Sequence, residues 1–225
     1  MDEEIARKAG EYLNTYRATK HIELADALIA ATAFAADAEL ITRNIKHYPM
    51  NKIITTPRGI IIRQGQESDA QAYRELRLEA LHNHPEAFSA DFAIYDKQPM
   101  TYWTERLHSL EDERMIYFAD CNDSLVGTCG IYRGDSPKTK HSGTIVGVYV
   151  KSEWRGLRIA DEMIAACIVW ARLHKIRIVK LGVNTANTSA IRCYTRCGFT
   201  TYGTEPQAIY ANSRMYDELL MARTI

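Results

Sequence analysis

Two stretches of this 225-residue chain carry residues whose types and spacing suit chemistry. The first is V-G-V-Y-V-K-S-E-W-R-G-L-R-I-A-D-E-M-I, residues 146–164. An apolar run ends at Val150, a short loop carries Lys151, Arg155 and Arg158, and a long helical pattern follows almost at once, with Asp161 and Glu162 in its first turn. A strand–loop–helix start presents unpaired backbone N–H groups and the positive end of the helix dipole. That arrangement suits a phosphate or pyrophosphate, and Gly156 lets the backbone approach an anion closely. A plain β–α connection with solvated basic side chains accounts for the same residues equally well.

The second stretch begins in Leu181-Gly182-Val183-Asn184 and continues through Asn187-Thr188-Ser189-Ala190-Ile191-Arg192-Cys193-Tyr194 to Gly198-Phe199. Asn187 is a good N-cap, and Tyr194 lies seven residues on, two turns up the same helix face. A phenol there can donate a proton. It can equally be a core aromatic with a wet tip, the commoner fate of tyrosine on an amphipathic helix. His82 and His84 are two apart, so on a helix they point to different faces. No spacing suits zinc, and no metal is expected. Cys193 and Cys197, one turn apart, read as small buried thiols.

The elements that must position these residues follow from periodicity. Helices are expected over 2–18 and 24–36, with a short strand at 39–42. A second series starts with a strand at Ile60–Arg63 and a helix capped at Ser68-Asp69 that runs through Leu81. A helix over 99–110 and strands at 115–120, 124–132 and 143–151 come next. A helix over about 156–174 precedes a strand at 177–184 and a helix at 187–196, and strands near 199–203, 207–211 and 215–222 end the series. Interspersed strands and helices argue an α/β (α+β) mixed sheet. Pro57 and Gly59 punctuate the join, dividing the chain into 1–57 and 59–225. The first piece is too small to bury a core of its own.

Composition narrows the function classes. Hydrophobic residues at 46% and charged residues at 25% fit a soluble globular protein. Lys plus Arg and Asp plus Glu are both 28, so no charge-driven affinity for nucleic acid or acidic membranes is implied. Residues 1–58 hold eight basic and eight acidic side chains, so neither part is a basic arm. No apolar run is long enough to span a membrane, and M-D-E-E-I-A-R-K does not read as a signal peptide. Five cysteines without ligand spacing suggest free thiols in a cytoplasmic setting.

R-G-L-R-I-A followed by N-x-x-A-x-x-x-Y-x-x-x-G-F resembles the GNAT N-acetyltransferase superfamily, over about residues 60–223. The resemblance implies a mixed sheet splayed open around a β-bulge in the strand ending at Val150, with acetyl-CoA in the splay. It implies that the backbone at Val148, Tyr149 and Val150 pairs with the pantetheine arm. The loop Arg155, Gly156, Leu157, Arg158, Ile159 and Ala160, with Asp161 just beyond, would wrap the pyrophosphate. Asn187 would contact the pantetheine or acetyl region, and Tyr194 would protonate the leaving thiolate. The acceptor would be a primary amine of a small molecule or a peptide, attacking the thioester directly.

Two departures stand out. Arg158 occupies the first glycine position of the pyrophosphate loop, where its side chain is expected to add a phosphate contact. Gly182 stands where members that acetylate protein N-termini carry a glutamate, which weakens that assignment. Glu86, His141, Glu205 and Glu218 are then the candidate bases, and a water chain would also serve. Phe88, Phe92, Tyr102 and Trp103 are candidates for an acceptor pocket, with ordinary packing the commoner role.

L-A-D-A-L-I-A-A-T-A followed by L-I-T-R-N-I-K-H-Y-P resembles the C-terminal half of a PIN domain, the nuclease fold of many toxin–antitoxin ribonucleases. Asp26 and Asn44 match metal-proximal positions. Such enzymes gather several carboxylates around a divalent ion, and one aspartate does not supply them. Residues 1–57 therefore read as a PIN remnant with a packing or oligomer role, for which a homodimer is a fitting assembly. The competing readings are a non-catalytic CoA-binding module and a toxin-like, RNA-directed protein.

Overall fold

The computed structural model describes residues 3–20, 24–35, 60–108 and 112–225. It divides into two compact units, Met1–Thr55 and Thr56–Ile225. In the first, helices α1 (Glu3–Lys20) and α2 (Leu24–Ala35) pack through Ala9, Ala27 and Ala31, flanked by Ile5, Tyr12, Leu13 and Leu28. Alanine at the contact lets two helices approach closely. The expected strand at 39–42, Asn44 and the join at 55–59 lie outside the described residues, and of Asp26 only its place in α2 is described.

The second unit is a seven-stranded mixed sheet in the order β1-β2-β3-β4-β5-β7-β6. The strands are β1 (Ile61–Gln64), β2 (Arg114–Cys121), β3 (Ser124–Arg133), β4 (Ser142–Val150), β5 (Ile178–Asn184), β6 (Thr200–Ala211) and β7 (Arg214–Thr224). All neighbours are antiparallel except β4 and β5. The crossover between that parallel pair is α6 (Ile159–Leu173), as a βαβ unit requires. Helices α3 (Ala70–Asn83), α4 (Phe92–Asp96) and α5 (Met100–Leu107) precede β2, and α7 (Thr188–Arg196) follows β5.

Helix α6 buries Ile159, Met163, Ile164, Cys167, Ile168, Trp170 and Ala171. These fall at 3.6-residue spacing and form a broad apolar stripe. Burying each Ile- or Met-sized side chain contributes roughly 1.5–3 kcal/mol. The stripe meets Val179, Leu181 and Val183 of β5 and Tyr194 of α7 in one core. The opposite face of the sheet packs Tyr73, Leu76, Trp103, Phe118 and Tyr149 in a second core under α3 and α5.

Three expectations need correction. The strands expected at 199–203 and 207–211 are one long strand, β6, whose register against β7 shifts at Thr201/Gly203 and Glu205/Ile209. Bulges let a strand absorb irregular residues without ending. Helix α6 starts at Ile159 rather than 156, because Gly156 (φ +82) and Arg158 (φ +58) both adopt left-handed backbone. Asp69 precedes α3 but does not cap it with its side chain. Its carboxylate instead holds Arg63 at 2.7 and 2.8 Å and accepts the Gln66 N–H at 2.8 Å. Arg63 reaches Asp120 as well, at 2.7 Å, and so ties β1 to both β2 and the start of α3.

Candidate functional site

Strand β4 carries the irregularity that opens the sheet. Tyr149 pairs with Thr128 and Val146 with Gly130, so Gly147 and Val148 together face Cys129. This is a β-bulge, and the extra residue, Gly147, takes φ +64, a conformation that costs non-glycine residues roughly 1–2 kcal/mol. On its other side β4 pairs with β5 only from Ser142–Thr144 to Ile178–Lys180. Beyond those three pairs the strands part. The unpaired lengths Ile145–Val150 and Leu181–Asn184 line a cleft of about 780 Å³.

The cleft brings together most of the residues singled out in the sequence. Val148, Tyr149 and Val150 form one wall, and Arg155, Gly156, Arg158, Ile159, Ala160 and Asp161 the mouth at the start of α6. Asn187, Ala190 and Tyr194 come from α7 and the turn before it. Leu157 does not line the cleft; its side chain packs on the core beneath and anchors the loop.

The loop is built for an anion at its backbone. Nothing lies within 4 Å of where a Cβ on Gly156 would sit, so the chain there faces open space. The residue before α6, Arg158, makes no side-chain cap to the helix. The first-turn N–H groups of such a helix have no intrahelical partner, and the dipole adds positive potential. Arg158 itself is exposed and lines the cleft. Arg155 is turned the other way, with Nε donating to the Val150 carbonyl (3.0 Å) and Nη2 2.9 Å from His84 Nε2.

Asp161 stands in the first turn, where a bare carboxylate would repel an anion. Arg196 neutralises it with two hydrogen bonds of 2.9 and 3.0 Å, and Cys193 Sγ donates to it at 3.3 Å. Burial alone would raise this carboxyl's pKa, but the Arg196 and Cys193 hydrogen bonds outweigh it and hold the pKa below the usual range. Cys197 joins this group, so that donor atoms of Asp161, Cys193 and Cys197 lie within 4.8 Å of one another. The sequence pairs the two thiols but gives no sign of Asp161, which comes from a different helix.

At the inner end, Asn187 Oδ1 accepts the Ala190 N–H (3.1 Å) and the Ser189 hydroxyl (3.0 Å), which fixes the start of α7 as its N-cap. Tyr194 is 7% exposed and packs edge-on against Phe199, 6.3 Å between ring centres. Burial raises its phenol pKa, and the charges of nearby cysteines and Glu218 add to the effect. A phenol held protonated at neutral pH in the floor of a cleft is equipped to give its proton to a developing anion.

The far wall comes from residues that spacing alone does not connect to the site. His84, Glu86, Ala87 and Phe88 line it. Asn184 Nδ2 donates to the Glu86 carbonyl at 2.8 Å and holds the 85–87 turn against β5. Tyr149 turns its hydroxyl to Glu79 Oε1 (2.8 Å), and Lys151 stands 3.7 Å from the other oxygen. These groups lie about 70 residues or more apart along the chain and meet only through the fold. Among the aromatic candidates, Phe88 alone lines the cleft. Trp103 is fully buried and Tyr102 packs on it, while Phe92 is exposed beside His82. His141 lines a separate, smaller depression near Tyr132 and Lys180.

Beneath the bulge, Arg77 Nη1 is buried without a hydrogen-bond partner, and the guanidinium lies over the Phe88 ring at 4.6 Å. Among the described residues, no helix is long and apolar enough to cross a membrane.

Comparison with known proteins bears on both units. The model of the Acetyltransferase (GNAT) family matches residues 73–199, and that of the PIN domain matches residues 1–52. A solved acetyltransferase of the GNAT family from Streptococcus pneumoniae superposes with a TM-score of 0.65 at 21% identity, over 74% of this chain and 99% of that one. The acetyltransferase yncA from Salmonella typhimurium, solved with its cofactor acetyl-CoA, superposes with a TM-score of 0.63 at 20% identity, over 74% and 94%. In the first unit, the ribonuclease VapC19 of Mycobacterium tuberculosis (strain ATCC 25618 / H37Rv) is 47% identical over 51 residues, 22% of this chain and 41% of that protein. The chain thus spans less than half the length of the curated relatives it matches.

Proposed function

The chain belongs to the Acetyltransferase (GNAT) family, and we propose that it is an N-acetyltransferase whose cleft binds acetyl-CoA and passes the acetyl group directly to a primary amine of a small molecule or peptide. The observation that carries this reading is the parting of β4 and β5 at the Gly147 bulge. It leaves a strand edge unpaired and places that edge in line with an uncapped helix start. The unpaired backbone of Val148–Val150 takes the pantetheine arm as an added strand. The loop from Arg155 to Ala160 and the first turn of α6 take the pyrophosphate, chiefly through backbone N–H groups. Arg158 adds a side-chain contact, while Arg155 holds the loop to β4. Asp161 serves by ordering α7 through Arg196 rather than by touching phosphate.

The chemistry then needs little more. A neutral amine attacks the thioester carbonyl, the C–N bond forms, the C–S bond breaks and the electron pair leaves on sulfur. Tyr194 supplies the proton to the thiolate, and the attacking nitrogen gives its surplus proton to water. Backbone N–H groups of the open β4 edge polarise the carbonyl during attack.

The experiment is a titration of the full-length protein with acetyl-CoA, followed by thiol release in the presence of primary amines. Tyr194→Phe is expected to lower turnover by roughly 100-fold, a typical share for a positioned general acid, and to leave the Kd for acetyl-CoA within about twofold. Equal turnover would remove Tyr194 from the mechanism. Absence of acetyl-CoA binding by folded protein would overturn the reading.

We assign residues 1–57 to a PIN-like segment and 59–225 to the catalytic domain. The likeness to VapC ribonucleases stops short of their full length, and its neutral charge gives no grip on RNA. Packing or self-association is the role it supports.

A further inference from the structure

Gly182 has no side chain, yet the space above it is filled. A Cβ built on Gly182 would lie 2.6 Å from Glu218 Oε2. Glu218 is on β7, directly opposite Asn184 and diagonal to Gly182. On paired antiparallel strands, opposite and diagonal neighbours share a face. Val179, Leu181 and Val183 point into the α6 core, so Gly182, Asn184 and Glu218 point to the other side. That is the side of the 85–87 turn, which Asn184 holds and which forms the far wall of the cleft. Gly182 itself lines the cleft.

We propose that Glu218 is the general base of this N-acetyltransferase, reaching from β7 across Gly182 to take the proton of the acceptor amine. This assignment rests on the reading of the cleft given above. The acceptor arrives as an ammonium ion, which has no lone pair to attack with. The Glu218 carboxylate removes one proton, directly or through one water, and the freed lone pair attacks the thioester carbon. Tyr194 returns a proton to the departing sulfur from the opposite side of β5. The attacking nitrogen, cationic in the tetrahedral adduct, sheds its second proton to water as the C–S bond breaks, so two protons leave nitrogen and one reaches sulfur. The enzyme ends with Glu218 protonated and Tyr194 ionised, and exchange with solvent restores both with one proton released overall.

The surroundings fit a base rather than a structural ion. Glu218 is half-buried, and burial raises its pKa, with the charge of Glu205 adding to the rise. The titratable groups on the elements packed around it are Glu205 opposite on β6, Glu86 on the 85–87 turn, Lys180 on β5 and Tyr194 on α7. Two carboxylates facing each other across β6 and β7 also favour a cationic acceptor over a neutral one. Glycine at 182 is what makes room, since any side chain there would displace the carboxylate.

The test compares full-length wild type, Glu218→Gln, Glu218→Asp and the double variant Gly182→Glu/Glu218→Ala, in which the space over residue 182 is vacated. Probe amines are spermidine and a short peptide with a free N-terminal alanine. Thiol release is followed across pH, beside acetyl-CoA titrations and thermal unfolding of each variant. Glu218→Gln should lose about 100-fold in kcat/KM and lose the acidic limb of the pH profile, with acetyl-CoA affinity unchanged within about twofold. Glu218→Asp should keep the limb at reduced rate, and the double variant should regain part of the rate because a carboxylate returns to the same space from β5. A Glu218→Gln variant with wild-type rate and pH profile overturns the assignment while the cofactor reading stands. Acetyl-CoA binding without acetylation of either probe also counts against it, because the carboxylate then activates neither. Wild-type protein that binds no acetyl-CoA overturns the underlying reading as well.

Discussion

Replacing Arg158 by glycine separates backbone strain from phosphate contact. Arg158 sits at φ +58, ψ +20 immediately before α6. A non-glycine residue in that conformation costs roughly 1–2 kcal/mol. Glycine removes the cost but adds about 0.4–1 kcal/mol of unfolded-chain entropy. The net effect on stability is a gain of about 0–1.5 kcal/mol. For a chain of this size 1 kcal/mol moves Tm by about 2–4 °C. Cofactor binding moves the opposite way. A hydrogen bond to a charged group contributes roughly 1.5–3 kcal/mol, and exposure at the cleft mouth reduces this to about 1. The Kd for CoA should then rise about fivefold to tenfold, since 1.4 kcal/mol is a factor of ten. Arg158→Lys keeps the charge and the strained backbone, so its loss should be smaller. The assay is a calorimetric titration with CoA at low and high salt, beside thermal unfolding. The difference between variants should shrink at high salt, because exposed charges are screened. Tighter CoA binding by Arg158→Gly would refute the phosphate contact, leaving the arginine as a strained substitute for glycine.

Other expectations follow from the same geometry. Gly147→Ala forces a β-carbon into left-handed backbone at the bulge and should cost about 1–2 kcal/mol of stability while weakening acetyl-CoA binding; an unchanged Tm and Kd would show that the bulge tolerates any residue. Asp161 has its pKa lowered in the folded chain, so its pairing with Arg196 stabilises the protein above the unfolded-state pKa and that stability is lost as pH falls through the folded value. Asp161→Asn should therefore flatten the acid-side decline in Tm, and an identical pH profile would show that the pair contributes nothing. Arg77→Met replaces a buried cation lacking a partner at Nη1 by an apolar chain of similar length, and unfolding should show stability unchanged or raised by roughly 1–4 kcal/mol. A clear loss would mean that the stacking on Phe88 outweighs burial of the charge.

Local patterns settled most of the elements. The apolar period of α6, the Asn187 cap and the strand runs on either side are visible in single windows of sequence, because each helix or strand repeats its own burial pattern. The loop from Arg155 to Ala160 and Tyr194 were joined into one candidate site only by the resemblance of their motifs to the GNAT superfamily, since spacing alone left each with a plain structural reading. Local pattern also misled where a bulge interrupted alternation. It broke β6 into two strands, and it placed Asp69 as a side-chain cap when Arg63, from β1, had claimed the carboxylate.

Only the tertiary structure decided which groups meet in the cleft and behind its walls. His84 meets Arg155, Glu79 meets Tyr149, and Glu218 fills the space left by Gly182, across separations that no periodicity encodes. Sequence lists Glu86, His141, Glu205 and Glu218 as equals, whereas strand pairing sets Glu218 across from Asn184 and His141 beside a different depression. The physical reason is that secondary structure is specified by neighbours along the chain. A carboxylate's pKa and reach, by contrast, are set by whatever strand register and burial bring beside it.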